Sequence, residues 1–369
     1  MGSRPLSVLF AGGGTGGHLF PAVAVADEIR RRDPAAVITF VGTRGKIEAR
    51  VVPALGYGFH TIWISGFRRR LEAATFLFPV KVIVSMVQSL LLLKQIAPQV
   101  VVGTGGYVCG PVVFAASLLG IPTLIHEQNS SPGVTTRLLA GRATEVHLTF
   151  EDTRRHLARK HGIVVSGNPT RASIGAVPRA AGADAFGLDP GRTTLLVFGG
   201  SLGAHSINVA MSSLLPRLPA DIQVLWQTGE EDFAWIEGEH PRSSGRGVVI
   251  RRFIDRMEHA YAAADLVVCR SGATTLAELT RAGIASVLVP YPHAAGDHQT
   301  ANARAMVDAG AAVMIEDAGL PEALLPALQR LLADREARAH MAGRARALGR
   351  PDAGPAIASA VLNLAGRAA

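Results

Sequence analysis

The chain has 369 residues, 48% apolar and 18% charged, with 37 basic against 29 acidic residues and a formal net charge of +8. That is too long for one hydrophobic core and too apolar for a disordered chain, so two domains are expected. Cys109 and Cys269 are the only cysteines and neither has a metal-ligand spacing, which excludes a disulfide framework and a zinc module and suits a reducing compartment.

The opening, MGSRPLSVLFAGGG, lacks a signal-peptide build and runs straight into an apolar strand pattern at Ser7 to Ala11. GGGTGGH follows at Gly12 to His18, then a helical pattern at Ala22 to Arg32, and further strand patterns at Val37 to Val41, Val100 to Val102 and Thr123 to His126. Between the second and third of these strands lies Trp63-Ile64-Ser65-Gly66-Phe67-Arg68-Arg69-Arg70-Leu71, with Phe76, Phe78 and Lys81 close behind. Bulky apolar residues beside three arginines suit a surface resting on anionic headgroups, and equally a core helix with a solvated Arg run. Val80 to Leu93 is apolar but interrupted by Lys81, Ser85, Gln88 and Ser89. It is shorter than the roughly 20 residues that span a bilayer, and is expected to pack against the protein.

A second glycine loop, Gly103 to Pro111, follows the Val100 strand, and His126-Glu127-Gln128-Asn129 closes the next. Gly167-Asn168-Pro169-Thr170-Arg171 and a Pro, Gly and Ala stretch to Arg192 read as the interdomain linker. The second half repeats the grammar, with strand patterns at Thr194 to Phe198, Gln223 to Thr228, Gly247 to Arg251, Leu266 to Cys269 and Ser286 to Pro290. Its polar clusters are GGSLGA at Gly199 to Ala204, Arg270 to Glu278, and Pro292 to Asn302; a last helical pattern covers Pro355 to Ala369. Strands alternating with helices imply an α/β fold with parallel sheets, whose ligands sit at the carboxyl edges of the strands.

A glycine turn between strand and helix brings backbone N–H groups and a positive helix end to one point, a seat for a phosphate or an anionic transition state. Gly12, Gly14 and Gly17 also fit the dinucleotide fingerprint. The second strand ends in Val41-Gly42-Thr43-Arg44 without a carboxylate for an NAD ribose, although Arg44 suits an NADP phosphate. Glu278 reads either as the end of a capping box with Thr275 or as a carboxylate for ribose hydroxyls. The basic balance favours an anionic partner, and nucleic acid is the weakest candidate because no basic stripe is interleaved with aromatics.

GGGTGGH, GTGGYVCGP, HEQN, GNPTR, GGSLGA, RSGATTLAE and DHQTANA follow one another from residue 12 to residue 303. In that order they resemble the MurG family, peripheral membrane glycosyltransferases that add N-acetylglucosamine to lipid I in peptidoglycan synthesis. The resemblance implies a GT-B fold, two Rossmann-like domains with parallel sheets facing across a cleft. Residues 1–170 would face acceptor and membrane, residues 171–354 would bind UDP-N-acetylglucosamine, and the helix at 355–369 would pack back on the first domain.

Carried over residue by residue, the resemblance implies a donor site of Thr15, Gly16, Gly17, Asn129, Arg171, Ser201, Ile254, Ala273, Thr274, Thr275, Leu276, Ala277, Glu278 and Gln299, with His298 beside it. Ser201 would hold the diphosphate, the Ile254 backbone would read uracil, Glu278 would take the ribose hydroxyls and Gln299 the sugar hydroxyls. Gly14, Gly105, Gly106 and Tyr107 would meet the acceptor diphosphate, and Trp63, Phe67, Arg68, Arg69, Arg70, Phe76, Phe78 and Lys81 the membrane. Leu202 and Cys109 stand where some members carry Gln and Ser.

The implied reaction is an inverting displacement that needs a base, with His18 the first choice and Glu127 and His126 the alternates. Neither a metal nor a cofactor is expected. The expected partners are UDP-N-acetylglucosamine, lipid I, the anionic inner-leaflet surface, and cell-wall and division proteins, with the protein peripheral on the cytoplasmic face of the cell membrane. Competing readings are a GT-B enzyme acting on diacylglycerol or another lipid, an NADP-dependent dehydrogenase, and a non-catalytic membrane scaffold.

Overall fold

Apolar β-branched runs buried on both faces build two separate all-parallel sheets, one seven-stranded and one six-stranded. The computed structural model describes residues 5–66, 77–159, 161–200, 202–240 and 247–367. Two compact units result, Met1–Arg171 with Pro351–Ala369, and Ala172–Arg350.

The first unit runs β1 (Ser7–Gly12), α1 (Gly16–Arg32), β2 (Val37–Gly42), α2 (Ile47–Ala54), β3 (Gly58–Thr61), α3 (Phe78–Ile96), β4 (Val100–Gly105), α4 (Gly106–Leu118), β5 (Thr123–Glu127), α5 (Val134–Leu139), β6 (Glu145–Leu148) and β7 (Ile163–Val165). The sheet order is β3-β2-β1-β4-β5-β6-β7. The chain winds outward from β1, then returns to lay β4 on the other side of β1, with Val8 opposite Val100 and Ala11 opposite Gly103. That reversal is a topological switch point, where strand-end loops part and leave room for a ligand.

The second unit runs α6 (Arg179–Asp184), β8 (Thr194–Phe198), α7 (His205–Leu214), β9 (Gln223–Gln227), α8 (Glu230–Glu239), β10 (Val248–Arg251), α9 (Met257–Ala263), β11 (Leu266–Cys269), α10 (Ala273–Ala282), β12 (Ala285–Leu288), α11 (His298–Asp308), β13 (Ala312–Met314), α12 (Leu320–Ala333) and α13 (Arg335–Leu348). Its order, β10-β9-β8-β11-β12-β13, places the switch between β8 and β11, with Leu195 opposite Leu266 and Phe198 opposite Cys269. The last helix, α14 (Ala353–Leu364), joins the first unit.

Alternation along each strand feeds two cores per sheet. In the first unit Val8 and Phe10 point to α1 and to Ile357, Val361 and Leu362 of α14, whereas Leu9 and Ala11 point to the α4 side with Val112 and Ile125. Arg32 fixes α14 by donating to Ser359 Oγ (2.7 Å) and the Pro355 carbonyl (3.1 Å).

Three expectations are corrected. The helix expected from Ala22 begins at Gly16 and passes through Pro21, so Gly17 and His18 belong to its first turn. Pro21 is the sixth residue of this helix, so it removes one internal i to i−4 donor without ending the helix, and a proline does not by itself mark a boundary. The stretch from Ala172 to Arg192 is not a linker. It holds α6, which packs on α9, and it buries Ile174, Ala183 and Leu188 in the core of the second unit.

The apolar segment expected to pack against the protein does so along one side only. It is a 19-residue helix, α3, long and apolar enough by composition to cross a bilayer. It rests on α4 through a narrow stripe of Ser85, Ser89 and Leu93, and the Ser85 and Ser89 hydroxyls donate to the carbonyls of Val82 and Ser85. Ile83 (65%) and Leu91 (64%) stand exposed, with Val80 and Val87 beside them.

Candidate active site

At the first switch point the ends of β1 and β4 carry GGGTGGH and Gly105-Gly106-Tyr107. Gly105 (φ +98°) caps α4 and Gly106 (φ +76°) begins it. A Cβ on Gly105 would lie 2.8 Å from His18 Nδ1, so the imidazole packs directly on this backbone. The expected acceptor-diphosphate glycines therefore also form the bed of the His18 ring.

His18 Nδ1 lies 3.0 Å from Gln128 Oε1. Gln128 Nε2 lies 2.9 Å from the Thr104 carbonyl and 3.0 Å from His126 Nδ1, and His126 Nε2 lies 3.0 Å from the Gly167 carbonyl. His126 is buried, which pushes its pKa down to about 3 and keeps the ring neutral. His126 and Gln128 share this edge, whereas Glu127 turns elsewhere and holds Asn129 with it. Its Oε1 accepts from the Asn129 backbone N–H (3.1 Å) and Nδ2 (3.2 Å), and its Oε2 from the Gly133 N–H (3.1 Å) and Thr136 Oγ1 (2.6 Å). Glu127 thus fixes Asn129 and the entry to α5.

Glu48, absent from the sequence-derived candidates, is fully buried under the first glycine loop. It accepts from the Gly14 N–H (3.0 Å) and from the Thr43 N–H (3.1 Å) and hydroxyl (3.0 Å). Gly14 therefore spends its N–H inside the protein, and a phosphate on this loop must be met by its neighbours. Tyr107 lies above Gly14, its hydroxyl 3.5 Å from Thr43 Oγ1. Thr15 is exposed at the N-cap of α1, with Gly16 and Gly17 in the first turn; the Arg171 guanidinium stacks 5.7 Å from the Phe20 ring.

At the second switch point GGSLGA leaves β8 for α7. Ser201 lies outside the described residues, and Leu202 beside it is exposed. Gln227, buried at the end of β9, donates through Nε2 to the Gly200 carbonyl (2.8 Å) and accepts through Oε1 from the Ile254 N–H (2.7 Å). One amide thus ties the Gly200 loop to the Ile254 segment. The Ile254 N–H is thereby committed inside the protein, so the expected main-chain contact to a base would fall to its carbonyl, which can accept from an imide N–H.

The capping-box reading of Glu278 is overturned, because α10 starts with Gly272 at the N-cap and Ala273 as its first residue, and Thr275 caps nothing. Glu278 is buried and accepts from the Tyr261 hydroxyl (2.9 Å). Ala273 and Leu276 have buried side chains, whereas Thr274, Thr275 and Ala277 are half-exposed. Gln299, next to His298 at the start of α11, accepts from the Tyr291 N–H through Oε1 (3.0 Å), which leaves the amide nitrogen to donate. Arg270 holds these loops together through the Val289 and Pro290 carbonyls, Ser206 Oγ (2.9 Å) and a charge pair with Asp317.

Of the membrane candidates, Phe67, Arg68, Arg69, Arg70 and Phe76 lie outside the described residues. Lys81 stands 5.8 Å from the Trp63 ring and donates to Ser65 Oγ (3.0 Å), and Phe78 begins α3. Among the described residues no group of three or more His, Cys, Asp or Glu gathers as for a metal.

Two doubly wound parallel sheets with polar strand ends at each switch point are the architecture of a GT-B glycosyltransferase. Residues 8–148 match the glycosyltransferase family 28 N-terminal domain and residues 194–354 the family 28 C-terminal domain. Proteins named "UDP-N-acetylglucosamine--N-acetylmuramyl-(pentapeptide) pyrophosphoryl-undecaprenol N-acetylglucosamine transferase" are similar to the chain over nearly its full length. That of Chlorobium luteolum is 48% identical and that of Prosthecochloris aestuarii 46%, each alignment covering 98% of this chain and 99% of the relative. The crystal structure of Acinetobacter baumannii MurG superposes with a TM-score of 0.75 at 31% identity, covering 97% of this chain and all of that one. The chain belongs to glycosyltransferase family 28, in its MurG branch.

Proposed function

We propose that the protein transfers N-acetylglucosamine from UDP-N-acetylglucosamine to the C4 hydroxyl of the N-acetylmuramyl residue of lipid I, giving lipid II and UDP. The observation that carries this reading is the second switch point, where a glycine loop, the Ile254 segment and the Glu278 carboxylate supply partners for diphosphate, uracil and ribose. The full-length similarity to the named transferases supports the same substrates. A dehydrogenase would leave that second set of groups without work.

In the reaction the acceptor oxygen attacks the anomeric carbon, and the bond from that carbon to the diphosphate oxygen breaks with its electron pair. The hydroxyl proton passes to a base. His18 serves better than Glu127, whose oxygens each accept two bonds, or His126, buried with both ring nitrogens engaged. Backbone N–H groups of the glycine loop before α7 stabilise the departing charge in fixed geometry. Trp63, Lys81 and the exposed apolar side of α3 rest on an anionic inner-leaflet surface. They lie on it rather than across it, because α3 joins two strands of one sheet and both its ends return to the same body.

The test is UDP release from UDP-N-acetylglucosamine with and without a soluble lipid I analogue. Release that depends on the analogue and ignores diacylglycerol is expected; turnover with diacylglycerol, or tight NADPH binding without UDP binding, overturns the assignment.

A further inference from the structure

Hydrogen-bond chemistry gives the chain of contacts behind His18 a single direction. A carbonyl oxygen only accepts, so His126 Nε2, 3.0 Å from the Gly167 carbonyl, carries the proton and His126 Nδ1 is bare. Gln128 must therefore present its NH2 group to His126 Nδ1, and the Thr104 carbonyl at 2.9 Å demands the same orientation. A flipped amide would set its oxygen against three acceptors, the Thr104 carbonyl, His126 Nδ1 and the His126 carbonyl at 3.2 Å. Gln128 Oε1 is thereby turned to His18 Nδ1 at 3.0 Å, and an amide oxygen also only accepts. The proton of neutral His18 sits on Nδ1 and the lone pair on Nε2. Gln128 and His126 are buried, so water does not compete for these bonds, and the neutrality of His126 agrees with its lowered pKa.

We infer that Gln128 is a positioning residue that locks His18 as its Nδ1–H tautomer, with the direction set by the Gly167 and Thr104 carbonyls, so that Nε2 is the nitrogen that receives the acceptor proton. The inference rests on the reading of His18 as the base. Its physical content is a tautomer, which is observable without turnover, and free imidazole in water prefers the opposite one. A base in the wrong tautomer has its lone pair aimed away from the proton it must take.

The experiment uses the full chain labelled with 15N-histidine, with His18 signals assigned by their loss in His18→Ala. Two-bond proton–nitrogen correlations report which ring nitrogen carries hydrogen. Wild-type protein is expected to show a protonated Nδ1 and a bare Nε2 at His18, and Gln128→Met to shift toward Nε2–H. That variant is also expected to lose about 10- to 100-fold in kcat with the donor KM changed less than about twofold, part of the value of general base catalysis. Gln128→Glu, which keeps an acceptor toward His18, is expected to retain Nδ1–H and serves if the methionine variant does not fold. An Nε2–H tautomer at His18 in the wild type, loss of Nδ1–H in Gln128→Glu, or an unchanged tautomer and kcat in Gln128→Met overturns the inference. Normal turnover of His18→Ala removes His18 as base and leaves the tautomer result standing. Inactive His18→Ala beside a fully active Gln128→Met removes Gln128 alone.

Discussion

Gln227→Met removes the one side chain that bonds both the Gly200 carbonyl (2.8 Å) and the Ile254 N–H (2.7 Å), while keeping nearly the same volume. The cost is therefore unmade hydrogen bonds rather than a cavity. Gly200 is half-exposed and its carbonyl recovers a water, whereas Ile254 is buried and its N–H does not. One buried orphan donor costs about 1–3 kcal/mol, which sets the expected loss in stability. On the proposed donor site the functional effect follows from geometry, because the Gly200 loop and the Ile254 segment loosen together. UDP affinity is expected to fall about 10- to 100-fold, at about 1.4 kcal/mol per tenfold, and uridine affinity to fall as well although uridine has no phosphate. Calorimetric titration with UDP and with uridine, beside urea unfolding, separates the contributions. Lower stability with unchanged UDP affinity would make Gln227 a core residue only and refute the coupling.

Tyr261→Phe removes the hydroxyl that orients Glu278 without opening space. A hydrogen bond to a carboxylate is worth about 1.5–3 kcal/mol, so the donor KM is expected to rise about tenfold or more with little change in kcat; an unchanged donor KM refutes the role. His126 makes stability depend on pH. Its folded pKa of about 3 lies below the unfolded value of about 6.5, so between them the unfolded chain binds a proton that the folded chain refuses. That stability is fully present above pH about 6.5 and falls on acidification by about 1.4 kcal/mol per unit. Urea midpoints of His126→Gln from pH 7 to 4.5 are expected to slope less than those of the wild type, and equal slopes overturn the assignment; the lowered His147 acts with the same sign in both proteins. Lysines at Ile83, Val87 and Leu91 together are expected to abolish binding to anionic vesicles while UDP binding persists. Retained vesicle binding removes the α3 face from membrane association.

Strands with continuous apolar runs, such as Leu195 to Phe198 and Val100 to Val102, were legible because burial on both faces leaves no polar position. Gly58–Thr61, Glu145–Leu148, Ile163–Val165 and Ala312–Met314 were not, being three or four residues long and at or near sheet edges. The α3 stripe was misread because Ser85 and Ser89, which satisfy their own hydroxyls on backbone carbonyls, can face the protein beside Leu93, while Ile83 and Leu91 face out. At the site the residue types were visible but the pairings were not. Glu48 reaches Gly14 from another element, and Tyr261 reaches Glu278 from the preceding helix. The direction of the Gln128 chain depends on the Thr104 and Gly167 carbonyls, which no side-chain letter encodes.

The place of α14 in the first unit has a consequence for biosynthesis. Ile357, Val361 and Leu362 complete the core beside α1, yet they are translated only after all of Ala172–Arg350. At roughly 5–20 residues per second, that delay is on the order of ten seconds or more. For that interval the nascent first unit presents the apolar flank of α1 uncovered, and with it the helix whose first turn carries His18. Synthesis of the second unit fills this wait, so the half of the protein whose synthesis starts first is the last to receive all of its chain.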